Sequence, residues 1–371
     1  MGEYARSLSI ARAAQLQWPQ AHIQFMLSRQ APYAAATPFP VILLDSSPTF
    51  HTAAVTGFIQ SFRPHIVIFD NAGRTAQLRA AQREGARIVF ISSRPRQRRK
   101  AFRWRWMRLI DEHWIAYPQF IAGRLGLFER LKLDLLHRPT VRYLDVILSR
   151  TGPGDSVMTR VGLKSGAYVL VVPGGGTGHP RAADATATFL AAANTLAEAG
   201  ILTVFVGPKG TPAVGATPAV RAPGAAASAV PHAPGVPHAP GVPLTPSAPV
   251  APSAALRCFN SLPQAELGEL MRGAKLIVTN GGSTLLQGIA CGRACIGIPI
   301  AQDQRRRIRS CVAAAVAVEA KLDASSIAQT AGGLLRDESG RAALEARASD
   351  LKLADGIEVA RAALIRLLEA A

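Results

Sequence analysis

Cysteine is scarce, and acidic residues are outnumbered. The 371 residues hold only Cys258, Cys291, Cys295 and Cys311. None stands in a zinc-like pairing with histidine, and Cys291 and Cys295 are spaced across a helix end, so buried free thiols are expected and a disulfide framework is excluded. No apolar run reaches the ~18 residues of a membrane-spanning helix. No charged segment followed by an apolar one opens the chain, which argues against a secretory signal. The expected location is cytoplasmic, either soluble or peripheral on the inner face of a membrane.

What is present is basic charge and apolar bulk. Asp plus Glu number 24 against 42 for Lys plus Arg, a formal charge of +18. Such a chain is drawn to phosphates on nucleotides, nucleic acid or anionic lipid. Its length exceeds one ordinary core, and an apolar fraction of 49% can fill two.

The most informative stretch runs from Lys275 to Gln304, KLIVTNGGSTLLQGIACGRACIGIPIAQDQ. Leu276, Ile277 and Val278 read as a buried parallel strand stopped by Thr279-Asn280-Gly281-Gly282. A helix capped by Ser283 or Thr284 follows, packing through Leu285, Leu286 and Ile289 and ending at Gly292 before a second apolar run, Ala294 to Ile300. Strand, turn, helix and strand form a βαβ crossover, whose ligands sit beyond the carboxyl ends of the strands. Residues 280–283 and 299–304 are therefore expected at one cleft. There Asn280, Ser283, Thr284, Gln287, Gln302, Asp303 and Gln304 supply amides, hydroxyls and a carboxylate for a polyhydroxylated ligand.

The order N-G-G-S-T-L-L-Q-G-I-A-C-G, an apolar strand, then P-I-A-Q-D-Q resembles the nucleotide-sugar-binding half of GT-B glycosyltransferases. It is similar to glycosyltransferase family 28, with the lipid II-forming UDP-N-acetylglucosamine transferase and the UDP-sugar hydrolase of pseudaminic-acid synthesis as relatives. The resemblance covers residues 168 to about 345 and, more faintly, the first half. It implies an α/β GT-B fold, two Rossmann-like doubly wound domains facing a central cleft. In the family a carboxylate often stands where Gln287 stands and holds the ribose hydroxyls. The amide departs from that pattern.

The second domain is expected over residues 157–345. It opens on the run Tyr168–Val172, then Pro173-Gly174-Gly175-Gly176-Thr177-Gly178-His179-Pro180 and an Ala-rich helix. Glycines between strand and helix let backbone N–H groups approach a phosphate, and the resemblance makes this the diphosphate loop. It is neither the dinucleotide fingerprint nor a P-loop, because no Lys-Ser/Thr follows. His179 either reaches a phosphate or caps the turn. The insertion 211–254, almost all Ala, Pro, Val and Gly, is expected as a disordered or polyproline-like loop, and its His232 and His238 belong to a repeat rather than a metal site. In the relatives the Phe259 position lies near the nucleotide base. Arg305, Arg306, Arg307 and Arg309 either help hold diphosphate or form a solvated face. The last helix, within 346–371, is expected to return to the first domain.

The first domain, residues 1–150, begins on a helix where an α/β domain usually begins on a strand. The relatives carry that strand and a G-x-G-H-x-x-R turn. Here G-E-Y-A-R remains, with Glu3 at the histidine position. An initiator upstream of Met1 is the expected explanation, since a lost central strand would leave backbone groups unpaired. Glu3 is a candidate general base or a first-turn residue complementing the helix dipole. Strands are expected at 22–27, 40–44, 65–70, 86–92 and 113–117, with helices at 75–84 and 120–136. Asp70, at a strand end that also bears Asp in the hydrolase relative, is a catalytic or acceptor-binding candidate or a helix cap. His113 is read as structural.

Arg94 to Arg108 interleaves cations with rings. Arg98, Arg99, Lys100, Arg103, Trp104 and Trp106 suit an anionic membrane or a lipid-phosphate acceptor. Single-stranded nucleic acid is the less favoured partner. A half-buried helix with solvated arginines is the third reading.

The function these features point to is transfer of a hexose-type sugar from a nucleotide-diphosphate donor, UDP foremost, to an acceptor that can be lipid-linked. Hydrolysis of the donor and a non-catalytic binding role are the alternatives. No Asp-x-Asp stands in the cleft loops, so no metal is expected, and no cofactor beyond the substrate.

Overall fold

A computed structural model describes residues 2–31, 33–34, 37–148, 156–174, 182–208 and 255–369. The segment 175–181, most of the diphosphate loop, and the Ala/Pro-rich insertion lie outside the described residues.

The first lobe opens with α1 (Gly2–Gln17), β1 (Phe25–Ser28), β2 (Val41–Leu44) and α2 (Thr52–Phe62). There follow β3 (Ile66–Asp70), α3 (Thr75–Arg83), β4 (Arg87–Ser92), α4 (Pro95–Ala101) and α5 (Trp104–Met107). It closes with β5 (Glu112–Ile115), α6 (Gln119–Ala122), α7 (Leu127–Leu136) and β6 (Thr140–Tyr143). Helix α2 has no counterpart in the sequence reading, although Val55 and Ile59, one turn apart, bury its inner face. The single helix expected over 120–136 is two, because Gly123 takes φ +80° and breaks the chain's helical course.

Strands β3, β4, β5 and β6 form one parallel sheet in that order, while β1 and β2 pair only with each other. The two sheets nonetheless share a core: Met26, Leu44 and Val67 pack with Val55, Ile59, Phe69 and Leu78. The far edges of β1 and β3 pair with no described strand. Ile68 of β3 is 37% exposed, unusual for a mid-sheet position.

The second lobe runs α8 (Val157–Arg160), β7 (Val169–Val172), α9 (Ala182–Glu198), β8 (Thr203–Gly207), β9 (Leu256–Asn260) and α10 (Gln264–Gly273). Then come β10 (Leu276–Asn280), α11 (Ser283–Ala290), β11 (Cys295–Ile298), α12 (Gln302–Ala313) and β12 (Val318–Glu319). Helices α13 (Ala324–Arg336), α14 (Glu338–Asp350) and α15 (Gly356–Glu369) end the chain. All six strands are parallel, ordered β12-β11-β10-β7-β8-β9. β7, β10 and β11 are buried throughout, which is why they read as unbroken apolar runs.

The last helix belongs with the first lobe. Ala360, Ala363, Leu364 and Leu367 of α15 bury against Ile10, Ile91, Trp114 and Leu144. The crossing falls after α14, whose Ala348 still packs in the second-lobe core, rather than at residue 346 inside that helix. Val146 and Asp355 form a parallel bridge at the crossing. The cysteines are free thiols, with Cys295 and Cys311 buried.

Candidate functional site

β7 and β10 are neighbours with Val172 opposite Thr279, so the turns that follow them leave the same sheet edge side by side. Asn280 joins these turns. Its Nδ2 donates to the Pro173 carbonyl at 2.6 Å, and its Oδ1 accepts the Gly282 N–H at 2.8 Å. The side chain is buried, so both bonds form out of competition with water. Gly174 has φ +79°, and a Cβ there would collide with the Asn280 amide. A Cβ on Gly281 would lie 2.8 Å from the Gln304 carbonyl oxygen. Glycine is therefore required at Gly174 by its positive φ and the Asn280 amide, and at Gly281 by the nearby backbone of α12.

Gly282, not Ser283 or Thr284, occupies the cap position of α11 and supplies no side-chain cap. Ser283 and Thr284 lie one and two residues further in, with Ser283 exposed. The α11 amino terminus keeps uncapped N–H groups and partial positive charge beside Gly174.

Helix α12 backs onto this turn. Gln304 accepts the Ile300 N–H through Oε1 at 3.1 Å, while Gln302 and Asp303 are exposed. Of the four arginines here, Arg305, Arg306 and Arg309 face solvent, and Arg307 turns inward. Its guanidinium donates to the Gly281 carbonyl and, at 3.2 Å, to the Tyr117 hydroxyl of the first lobe. Its side chain is only 10% exposed, and its Nε is buried without a partner among the described residues. Sequence reasoning left Arg307 undistinguished from its neighbours. The signal was the helical spacing from Gln304 to Ile308 and Cys311, which puts Arg307 at the border of the buried face.

Gln287 sits differently from the expected ribose contact: its Nε2 donates at 2.9 Å to the Ile147 carbonyl in the connection between lobes. Only its Oε1 is left for a ligand. Phe259 is half-buried near the end of β9 and packs on the second-lobe core. Gly175, Gly176, Thr177, Gly178 and His179 lie outside the described residues.

At the carboxyl edge of the first-lobe sheet, α1 is tied to the end of β3. Arg6 binds Asp70 at two points, Nη2 to Oδ1 at 2.5 Å and Nε to Oδ2 at 3.1 Å, and Ser7 Oγ adds 2.9 Å to Oδ2. Burial raises the Asp70 pKa, and the Arg6 charge and hydrogen bonds oppose that rise. With both oxygens engaged, Asp70 anchors the helix, and its geometry favours neither a free base nor a helix cap. Glu3 is the accessible carboxylate, 45% exposed, accepting from Asn71 Nδ2 at 2.9 Å and lying 3.6 Å from Arg94. Asn71 also donates to Ser93 Oγ, so one polar cluster spans the ends of β3 and β4 and the start of α1. His113 is fully buried, bonded to Ser92 at 2.8 Å, and burial followed by the charge of Arg98 lowers its pKa to about 3. It is a neutral core histidine.

The arginine-tryptophan run does not form one surface. Trp106 is fully buried, edge-on to Phe90 at 5.2 Å, with its N–H on Thr75. Arg98 pairs with Glu129 at 2.6 Å and donates to the carbonyls of Ala122, Gly123 and Arg124. Lys100 donates to the Gly73 carbonyl and lies over the Trp106 ring at 4.2 Å, its pKa lowered by burial and then by neighbouring arginines. Arg99, Arg103 and Trp104 remain outward. Mixed composition hid this division: most of the basic residues and Trp104 face water while Phe102 and Trp106 fill the core.

No protein-family model matches the chain, and no curated protein sequence matches it significantly. Solved structures do. Spinosyn rhamnosyltransferase SpnG complexed with thymidine diphosphate superposes with a TM-score of 0.59 at 14% identity, covering 98% of this chain and 95% of that one. The calicheamicin glycosyltransferase CalG4 gives 0.59 at 13% identity over 98% and 94%. The glycosyltransferase SnogD from Streptomyces nogalater gives 0.55 at 16% over 97% and 95%. The chain therefore has the GT-B fold over nearly its whole length. That fold also serves other chemistry, since a putative UDP-N-acetylglucosamine 2-epimerase from Listeria monocytogenes matches at 0.53 and 12% identity over 98% and 92%.

Proposed function

We propose that this protein is a glycosyltransferase that moves a hexose-type sugar from a nucleotide-diphosphate donor, UDP foremost, to an acceptor hydroxyl, on a molecule that can be lipid-linked. The observation that carries the reading is the Asn280 link between the Gly174 and Gly281–Gly282 turns, which gathers N–H groups and a helix amino terminus at one sheet edge. Such an edge suits a diphosphate. Structural neighbours named as sugar transferases, one with thymidine diphosphate bound, support the same reading.

In this mechanism Glu3 takes the proton of the acceptor hydroxyl, the oxygen attacks the anomeric carbon, and the bond to phosphate breaks with its electron pair on the departing diphosphate. N–H groups at the start of α11 and the Arg307 guanidinium offset the charge that develops there, with no metal in the proposed step. Asp70 and Arg6 hold α1 so that Glu3 faces the cleft. The test is release of nucleotide from a labelled sugar nucleotide with and without membrane extract. Acceptor-dependent release is expected. Release independent of acceptor converts the assignment to a hydrolase, and donor binding without release removes enzymatic activity altogether.

A further inference from the structure

The chain turns sharply after β3. Asn71 takes φ +52°, a left-handed conformation that asparagine adopts at little cost, while its N–H still donates to the Ile91 carbonyl at 2.9 Å. The turn carries its side chain across the strand ends, where the Ser93 N–H donates to Oδ1 at 2.8 Å. A backbone N–H can only donate, so this bond fixes which end of the amide is oxygen and which is nitrogen. Three acceptors then stand within reach of the two Nδ2 hydrogens: Ser93 Oγ at 2.5 Å, Glu3 Oε1 at 2.9 Å and Asp70 Oδ1 at 3.3 Å. Asp70 Oδ1 already receives Arg6 at 2.5 Å, so the two shorter bonds take the hydrogens. Both contacts that Glu3 makes fall on one oxygen, because Arg94 Nη2 also lies 3.6 Å from Oε1. Among the described residues nothing bonds Oε2.

We propose that Asn71 is a positioning residue for sugar transfer: it pins Glu3 Oε1 and leaves Oε2 as the atom that takes the acceptor proton while the acceptor oxygen attacks the anomeric carbon. This chemistry rests on the transferase reading, whereas the hold on Glu3 does not. A carboxylate in the first turn of a helix, 45% exposed, would otherwise sample several rotamers. One bond from an amide locked at its other end removes that freedom. Arg94 is the weaker partner, since it is 73% exposed and stands beyond hydrogen-bond distance. The same lobe shows why a neutral donor suits the task. Arg6 engages both oxygens of Asp70 and closes that carboxylate, whereas Asn71 engages one oxygen of Glu3 and adds no charge. The charged and titratable groups that face Glu3 are Arg94 at the start of α4, Asp70 at the end of β3 and Tyr33 after β1.

The test reads the hold directly, in the full chain with carbon-13 in its glutamate carboxyls, where the Glu3 signal is the one that Glu3→Gln removes. Asn71→Gly keeps the left-handed turn and deletes the amide, and Asn71→Asp keeps the shape but sets a carboxylate against Oε1. Asn71→Asp should raise the pH midpoint of the Glu3 signal by at least ~1 pH unit over the parent, and Asn71→Gly by less. Equal midpoints in the parent and both variants overturn the proposal. With radiolabelled UDP-glucose and membrane extract, Asn71→Gly should lower kcat by about 10- to 100-fold at unchanged donor KM. The acid limb of the Asn71→Asp pH–rate profile should move upward with its carboxyl midpoint. A variant with a moved midpoint and parental kcat also overturns the proposal. Failure of the transferase reading is told apart by a parent that releases no nucleotide although the midpoints move, and it overturns the assigned chemistry as well.

Discussion

Arg307 of the second lobe stacks over Tyr117 of the first, with 4.8 Å between the guanidinium carbon and the ring centroid. The same guanidinium holds the Gly281 carbonyl, so one side chain links the proposed donor turn to the facing lobe. Tyr117, Phe120 and Ile121 pack on the second-lobe core around it. Arg307→Ala is expected to weaken nucleoside-diphosphate binding by roughly 10- to 100-fold, the range of a charge-assisted hydrogen bond of about 1.5–3 kcal/mol. Tyr117→Phe, which keeps the ring, should cost less than ~10-fold. Titration calorimetry with UDP and with thymidine diphosphate measures both, and equal affinity of Arg307→Ala and the parent removes Arg307 from the donor site.

The two first-lobe carboxylates should separate under mutation. Glu3→Gln is expected to lower kcat by about 10²- to 10⁴-fold with nucleotide affinity and melting temperature unchanged, the pattern of a lost general base. Arg6→Met should instead unfold the lobe early, by about 3–5 kcal/mol, because it leaves Asp70 buried without its partner. That loss carries a pH signature. A buried carboxyl raised above its ordinary 3.8 binds its proton more tightly folded than unfolded, so Arg6→Met should regain stability as pH falls towards that value. Urea melts at several pH values give the slope, and a flat difference from the parent sinks the assignment.

Asn280→Ala should be costly far beyond its size. It removes the donor to Pro173 and the acceptor for Gly282, for a stability loss of about 1–3 kcal/mol. Nucleotide affinity should fall further than stability does, since the two turns separate. Full donor affinity in a folded Asn280→Ala protein would remove the main support for a diphosphate at this edge.

His113 sets part of the acid limit. Its pKa is about 3 in the folded chain against 6.5 when free, so the folded state binds fewer protons. Stability is therefore lost as pH falls from 6.5 towards 3, with a slope approaching about 1.4 kcal/mol per pH unit. Replacing His113 with Phe and Ser92 with Ala together should flatten that slope relative to the parent. Identical pH profiles would place the acid sensitivity elsewhere.

The second-lobe crossover was readable because its local signals agree. An apolar run closed by Asn280-Gly281-Gly282 and a helix with Leu285, Leu286 and Ile289 on one face admit few other folds. What stayed hidden were contacts between residues far apart in the chain. Arg98 looked like a surface cation until Glu129, 31 residues on, appeared beside it. Trp106 looked amphipathic until Thr75 took its N–H. Asp70 and Glu3, alike as lone carboxylates near helix starts, differ only because Arg6 and Ser7 reach one and Asn71 the other.

The edges of β1 and β3 that lack a partner among the described strands have a practical consequence. Phe25 and Arg29 donate towards β2, and Asn71 towards β4, so strand alternation points the backbone groups of Met26, Ile66, Ile68 and Asp70 away from both ladders. A valine- or isoleucine-rich tag fused ahead of Met1 is then no neutral handle. It offers a strand to either bare edge, whereas a lysine-rich leader leaves both edges open to pairing with another molecule.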